Sequence, residues 1–249
     1  MTFPRRSPRN PHGAHWLHTG RGPYAHTMSQ PVALGEDPSR ASAIPDIDER
    51  VLQLFAIVTD NLAGAAQAFL SDDRDAARAL VAADQRVDSM EQDLLRLIDL
   101  RVVATPPPSA ATLRLLFAVG RIVPELERSG DLVEHIALRT PQGMAARLSP
   151  KARGLIQQMG EDGVQMFRAA ALAYQTRDPA AAEELRLVDD HLDDLHVRLC
   201  AELSATLDSI PIAIEMGLIA RFLERLGDHA VNMARRVRDL SADAALLQA

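Results

Sequence analysis

The sequence predicts an all-α protein: two tandem repeated three-helix bundles, six long helices in all, preceded by a disordered N-terminal tail. Three observations predict it. Aromatic residues make up only 4% of the chain and apolar residues 47%, with Ala, Leu, Val and Arg dominating, a composition that suits packed helices and not a sandwich or barrel. From Asp48 onward, apolar residues recur at steps of three and four, one face of a 3.6-residue helix. The pattern also occurs twice: Phe69, Asp84 and Asp88 match Tyr174, Asp189 and Asp193 at an offset of 105, and Glu127 and Asp131 match Glu224 and Asp228 at 97.

Residues 1–45 are rich in Pro, Gly, Arg, Ser and His without an apolar period, so they cannot bury enough surface to offset the entropy of ordering. This is the expected tail, and it holds Trp16, the only tryptophan. Its spread histidines, His12, His15, His18 and His26, read as solvated side chains. The first repeat, residues 46–141, opens with Val51, Leu54, Phe55, Val58, Leu62, Ala65 and Phe69 on one helix face. After Ser71, Asp72 and Asp73, a second helix runs through Leu80, Ala83, Val87, Met90, Leu94 and Leu97 until Thr105 and Pro106 to Pro108 stop it. Ser109 is placed to cap the third helix, which runs through Leu113, Leu116, Val119, Val123, Leu126, Val133 and Ile136, with a kink expected at Pro124. The second repeat, residues 149–241, follows the same scheme. Its helices are expected from Pro150 to Tyr174, from Ala180 to about Ser209 and from Pro211 to about Leu240. The offset falls by eight between the second and third helices, so an insertion is expected at the proline run of the first repeat.

Net charge is −7, and the first 45 residues hold five Arg against Glu36 and Asp37, so the rest of the chain carries −10. An acidic body argues against nucleic acid and suits metal ions or basic partners. Cys200, the single cysteine, cannot form an internal disulfide and points to a reducing compartment. No run of about 18 uncharged apolar residues appears; the stretch Ile210 to Leu223 is broken by Pro211, Glu215 and Arg221. No apolar segment follows Arg5, Arg6 and Arg9, so a secretory signal is not expected. The expectation is a cytoplasmic protein, peripheral to a membrane at most.

Four acidic i,i+4 pairs stand in repeat register: Asp84 with Asp88, Glu127 with Asp131, Asp189 with Asp193, and Glu224 with Asp228. Residues four apart share a helix face, and like charges so placed cost roughly a few tenths of a kcal/mol. A duplicated protein that keeps four such pairs needs a compensating cation. With no thiolates beside them, the acids favour hard ions: iron, manganese or magnesium, with zinc admissible. Glu91 and His135 in the first repeat, and His196 and Asn232 in the second, extend the stripes as second-rank ligands. Gly130 and Gly227 each precede the last acid, and since glycine costs a helix about 1 kcal/mol, they ask for close approach of a neighbouring helix or room for ions. Arg128 and Arg225 are expected to pair with Asp131 and Asp228.

The segment Glu224-Arg225-Leu226-Gly227-Asp228-His229-Ala230-Val231-Asn232 resembles the signature of the PhoU-like proteins, and Glu127-Arg128-Ser129-Gly130-Asp131 resembles a degenerate copy of it. The resemblance covers about residues 48–240. It implies tandem three-helix bundles with metal clusters at acid-x-x-x-acid motifs, here Asp84, Asp88, Glu127, Asp131, Asp189, Asp193, Glu224 and Asp228. It further implies a homodimeric negative regulator of phosphate uptake, an adaptor between the ATPase subunit of a phosphate ABC transporter and a sensor histidine kinase. The first repeat departs from the signature, with Leu132 and His135 in place of His229 and Asn232, which leaves equal metal occupancy of the two repeats unassured.

Two other readings compete. A metal-free helical adaptor would leave the acids as solvated faces. A di-iron carboxylate enzyme would need a Glu from each of two helices and an acid-x-x-His element from each of two others, whereas only Asp193-x-x-His196 has that form and Glu91 replaces the His in the first repeat. No phosphate-binding glycine loop or nucleophile elbow occurs, and Cys200 reads as a buried, inert thiol. The chain is not expected to be an enzyme.

Overall fold

The structure is a computed structural model that describes residues 44–246. The expected tail, with its four histidines and Trp16, falls outside these residues apart from its last two positions. Six α-helices form among the described residues: α1 (Ile44–Ser71), α2 (Arg74–Val102), α3 (Ala110–Ala137), α4 (Pro150–Thr176), α5 (Ala181–Thr206) and α6 (Ile210–Leu246). Two short 3-10 turns, Thr140–Gln142 and Met144–Arg147, join α3 to α4. No strand occurs among the described residues.

The helix starts follow from local chemistry. The Asp73 carboxylate accepts from the backbone N–H groups of Asp75 and Ala76, Ser109 accepts from Thr112 as its position suggested, and Ser149 accepts from Ala152 ahead of Pro150; Asp73 thereby occupies two of the orphan donors of a first turn, and each serine one. α3 carries Pro124 without a break. The ends of α1 and α4 repeat each other: Asp72 and Arg177, 105 residues apart, both take left-handed φ angles, 56° and 58°. Arg177 is held there by both carboxylate oxygens of Asp48, at 2.8 and 2.9 Å, with its guanidinium 4.2 Å from the Tyr174 ring centroid. The insertion sits where the offsets put it: residues 103–109 link α2 to α3, against only 207–209 between α5 and α6, and the neighbouring helix ends absorb the rest.

Each repeat packs its three helices against one another, and α1 packs on α4 and α3 on α6 across the repeats. Both cross-repeat pairs are antiparallel. Along the second pair, Glu125 meets Asn232, Ser129 meets His229, His135 meets Phe222 and Arg139 meets Glu215, so the numbering rises on α3 as it falls on α6. Where α1 crosses α4, a Cβ on Gly160 would lie 2.9 Å from the Ala66 Cβ, so glycine lets the two backbones approach. One buried apolar cluster consequently runs through both repeats, from Val51 and Leu62 on α1 through Leu126 and Phe167 to Leu192 and Leu226. By length and composition α1 could cross a membrane, at mean hydropathy 1.2 over its most apolar window, but half of that window is buried inside the protein.

Candidate metal centre

In the first repeat, Gly130 of α3 faces α2 so closely that a Cβ there would lie 3.0 Å from Val87 Cγ1 and 3.1 Å from Asp84 Oδ1. That approach carries the α2 acids onto the α3 acids. Asp84, Asp88 and Asp131 each offer a carboxylate oxygen within 4.8 Å of the other two, and all three residues are half-buried. Burial, then the negative charges of Glu134, Asp88 and Asp131, push Asp84 up to about 6. Glu127 is pushed up to about 7 by burial and by Asp131, Glu91 and Asp88, with Arg128 acting weakly against them. Glu91 is raised as well, by burial and Asp88.

The second repeat builds the same face from α5 and α6. A Cβ on Gly227 would lie only 2.6 Å from both Asp189 Oδ1 and Leu192 Cδ2, so this approach is tighter still. Burial and the charges of Asp228, Asp193 and Glu224 raise Asp189 to about 7. Glu224 is buried, and burial raises its affinity for a proton although the Arg221 guanidinium is hydrogen-bonded to one of its oxygens. Its other oxygen, Oε2, is buried without a partner. His196 joins this group: burial lowers its pKa, Arg221 lowers it further, and Asp193 opposes.

The first cluster therefore has oxygen donors converging on one face, and the second has acids that share one field, with an orphaned buried oxygen on Glu224; both contain carboxylates that resist shedding their protons. Such a set fits a hard cation, which would take the place of the protons. All eight sequence-derived acids fall on these two faces, four to each repeat. Asp193 and Asp228 are exposed, and among the described residues only Asp84, Asp88 and Asp131 converge within 4.8 Å.

The second-rank candidates divide. Glu91 and His196 share the acids' field, whereas His135 stacks 5.5 Å from Phe222 and Asn232 donates to Glu125 at 3.3 Å, both along the α3·α6 seam. Helix phase is the reason. Seven residues on a helix return to within about 20° of the starting direction and eight drift by about 80°; Glu91 and His196 lie seven beyond Asp84 and Asp189, while His135 and Asn232 lie eight beyond Glu127 and Glu224. The same phase places Glu134 on the site, seven beyond Glu127, and this acid was missed. His229 lies in the seam too, buried, with Nδ1 3.0 Å from Ser129 Oγ. Arg128 turns back to Glu125 at 3.4 Å instead of forward to Asp131. Cys200 is half-buried and not buried, and burial pushes its thiol up, consistent with an unreactive group.

A family model described as the PhoU domain matches residues 51–140 and again 156–237. The chain belongs to the PhoU family. The two matched segments coincide with α1–α3 and α4–α6, so the PhoU domain is the repeat. The chain is 31% identical over 179 residues to the phosphate-specific transport system accessory protein PhoU homolog 1 of Mycobacterium tuberculosis, covering 70% of this chain and 79% of that one. It is 32% identical to the PhoU homolog of Zymomonas mobilis, covering 69% and 73%. The crystal structure of PhoU from Pseudomonas aeruginosa superposes with a TM-score of 0.75 at 24% identity, over 82% of this chain and 99% of that one. That likeness establishes the fold, with both repeats in place.

Proposed function

We propose that this chain is a metal-binding, cytoplasmic negative regulator of phosphate uptake and phosphate-starvation signalling. It joins the ATPase subunit of a phosphate ABC transporter to a sensor histidine kinase, acts as a homodimer and turns over no substrate. The observation that carries the metal part is the convergence of Asp84, Asp88 and Asp131 within 4.8 Å; the regulatory part is supported by the relatives named as accessory proteins of phosphate-specific transport. Asp84, Asp88, Glu127 and Asp131 would hold a cation in the first repeat, and Asp189, Asp193, Glu224 and Asp228 in the second. Iron, zinc, manganese and magnesium all suit such donors. A bound cation would cancel the mutual repulsion of the acids and locally reverse the charge that an acidic body offers a partner.

Against a di-iron enzyme stands the placement of the acids. Each cluster draws on two helices of its own repeat, not on four helices around one core as a di-iron carboxylate centre requires. The test is genetic and biochemical together. Deleting the gene should leave phosphate-starvation genes expressed in phosphate-rich medium, and the purified protein should bind the kinase or the transporter ATPase in a metal-dependent way. Normal repression in the deletion strain, with no such partner bound, would refute the regulatory reading; metal-independent binding would favour a metal-free adaptor.

A further inference from the structure

The internal duplication shows where the molecule lacks a charge it carries elsewhere. At one end of the antiparallel α3·α6 pair, Arg139, two residues past the end of α3, donates from Nε to Glu215 of α6 at 2.8 Å. Shifting both positions by the repeat offset of 97 gives the other end of the same pair, where Arg236 of α6 replaces Arg139 and Ala118 of α3 replaces Glu215. The carboxylate is missing, and a pocket of about 230 Å³ stands there, lined by Arg114, Phe117, Ala118, Arg121, Arg236 and Leu240. Asp239, the one acid in the lining among the described residues, is engaged by Arg238 at 3.2 Å. Among the described residues Arg114, Arg121 and Arg236 have no ion pair or hydrogen bond from their guanidinium groups, an unbalanced concentration of positive charge on a chain of net −7.

We propose that this pocket binds a small phosphorylated molecule, with the phosphoryl group seated where a glutamate carboxylate stands at the symmetry-related end. Three guanidinium forks exceed what one carboxylate can satisfy, and their planar geometry matches phosphate oxygens in bidentate fashion. The volume exceeds that of a bare phosphate, since a water molecule takes about 30 Å³ of the liquid. Phe117, 61% exposed, and Leu240 present an apolar and π surface beside the arginines. A nucleoside phosphate combines a polyanion with a planar group that can stack on such a face. The inference rests on the α3·α6 pair and not on the proposed metal ligands, so either reading can fail without the other.

Calorimetric titration of the full chain, stripped of metal with chelator, tests it with adenosine, inorganic phosphate, adenosine monophosphate and adenosine diphosphate. The diphosphate should bind with submillimolar Kd, the monophosphate and inorganic phosphate more weakly, and adenosine undetectably. Ala118→Glu supplies the missing carboxylate from within and should weaken diphosphate binding about tenfold or more while the melting temperature holds or rises, because Arg236 then gains the partner that Arg139 already has. Arg236→Ala should weaken binding to a similar degree. An absence of heat with every phosphate at millimolar concentration, or an affinity untouched by Ala118→Glu, would overturn the assignment. A polyglutamate peptide that binds where the phosphates do not would also overturn it, and would give the pocket to an acidic segment of a partner.

Discussion

The carboxylates at Asp84, Glu127 and Asp189 hold their protons to about 6, 7 and 7, where an exposed Asp or Glu releases its own near 4. Between those limits the folded chain binds protons that the unfolded chain has lost, so stability from these groups is fully present below about pH 4 and falls as pH rises through 6 to 7. Metal-stripped protein should therefore melt higher at pH 5 than at pH 8, and saturating Mn²⁺ should shrink or reverse the difference by replacing the protons. Thermal scans at the two pH values check this; a flat profile without metal would count against the clustered acids. The signature glycines differ in a testable way. Gly227→Ala drives a methyl to 2.6 Å from Asp189 Oδ1 and Leu192 Cδ2, and overpacking of about 1–3 kcal/mol outweighs a helix-propensity gain of roughly 1 kcal/mol. The expected net loss of about 1 kcal/mol lowers the melting temperature by roughly 2–4 °C in a chain of this size. Gly130→Ala, with nearest contacts of 3.0 and 3.1 Å to Val87 and Asp84, should be closer to neutral; equal effects would mean that the α5·α6 approach is not the tighter one.

Among the elements, the helices were legible because each is amphipathic at the 3.6 period, with Pro106 to Pro108 and the Ser109 cap marking limits. What periodicity hides is how helices pair across the repeats, since a core stripe looks the same whichever neighbour covers it. The α3·α6 seam shows the consequence: His135, Asn232 and His229 sit beside the acidic motifs in sequence yet turn toward the opposite repeat. In that seam Ser129 Oγ donates to the Glu125 carbonyl at 2.6 Å, so it accepts from His229, which fixes the imidazole hydrogen on Nδ1. The symmetry-related positions are Leu226 and Leu132, showing that an apolar pair is tolerated in this packing. His229→Ala should thus cost about 1–3 kcal/mol through a lost buried hydrogen bond and a cavity. Replacing the pair together, Ser129→Ala with His229→Leu, should cost less than His229→Ala alone. Denaturant unfolding of both variants checks it, and the reverse order would show that the polar link matters more than the volume it fills.

At the scale of the whole molecule, two copies of one bundle share a core but have diverged at their acidic faces. Glu91, Pro124 and Glu134 of the first repeat correspond to His196, Arg221 and Val231 of the second. The first cluster thereby has two more acids, and the second has its own cation hydrogen-bonded to Glu224. These exchanges, and not the seam residues His229 and Asn232, are what should make occupancy unequal: the first repeat should bind Mn²⁺ more tightly, and Arg221→Ala should strengthen the second. Because each cluster uses only its own two helices, removing one should leave the other nearly unchanged. The most direct measurement is metal content by mass spectrometry on folded wild-type protein, on Glu127→Ala with Asp131→Ala, and on Glu224→Ala with Asp228→Ala, each reloaded after chelation and checked for helicity. Each double variant should stay helical and lose the metal of its own repeat alone; wild-type protein that takes up no metal, or double variants that retain all of it, would contradict the assignment.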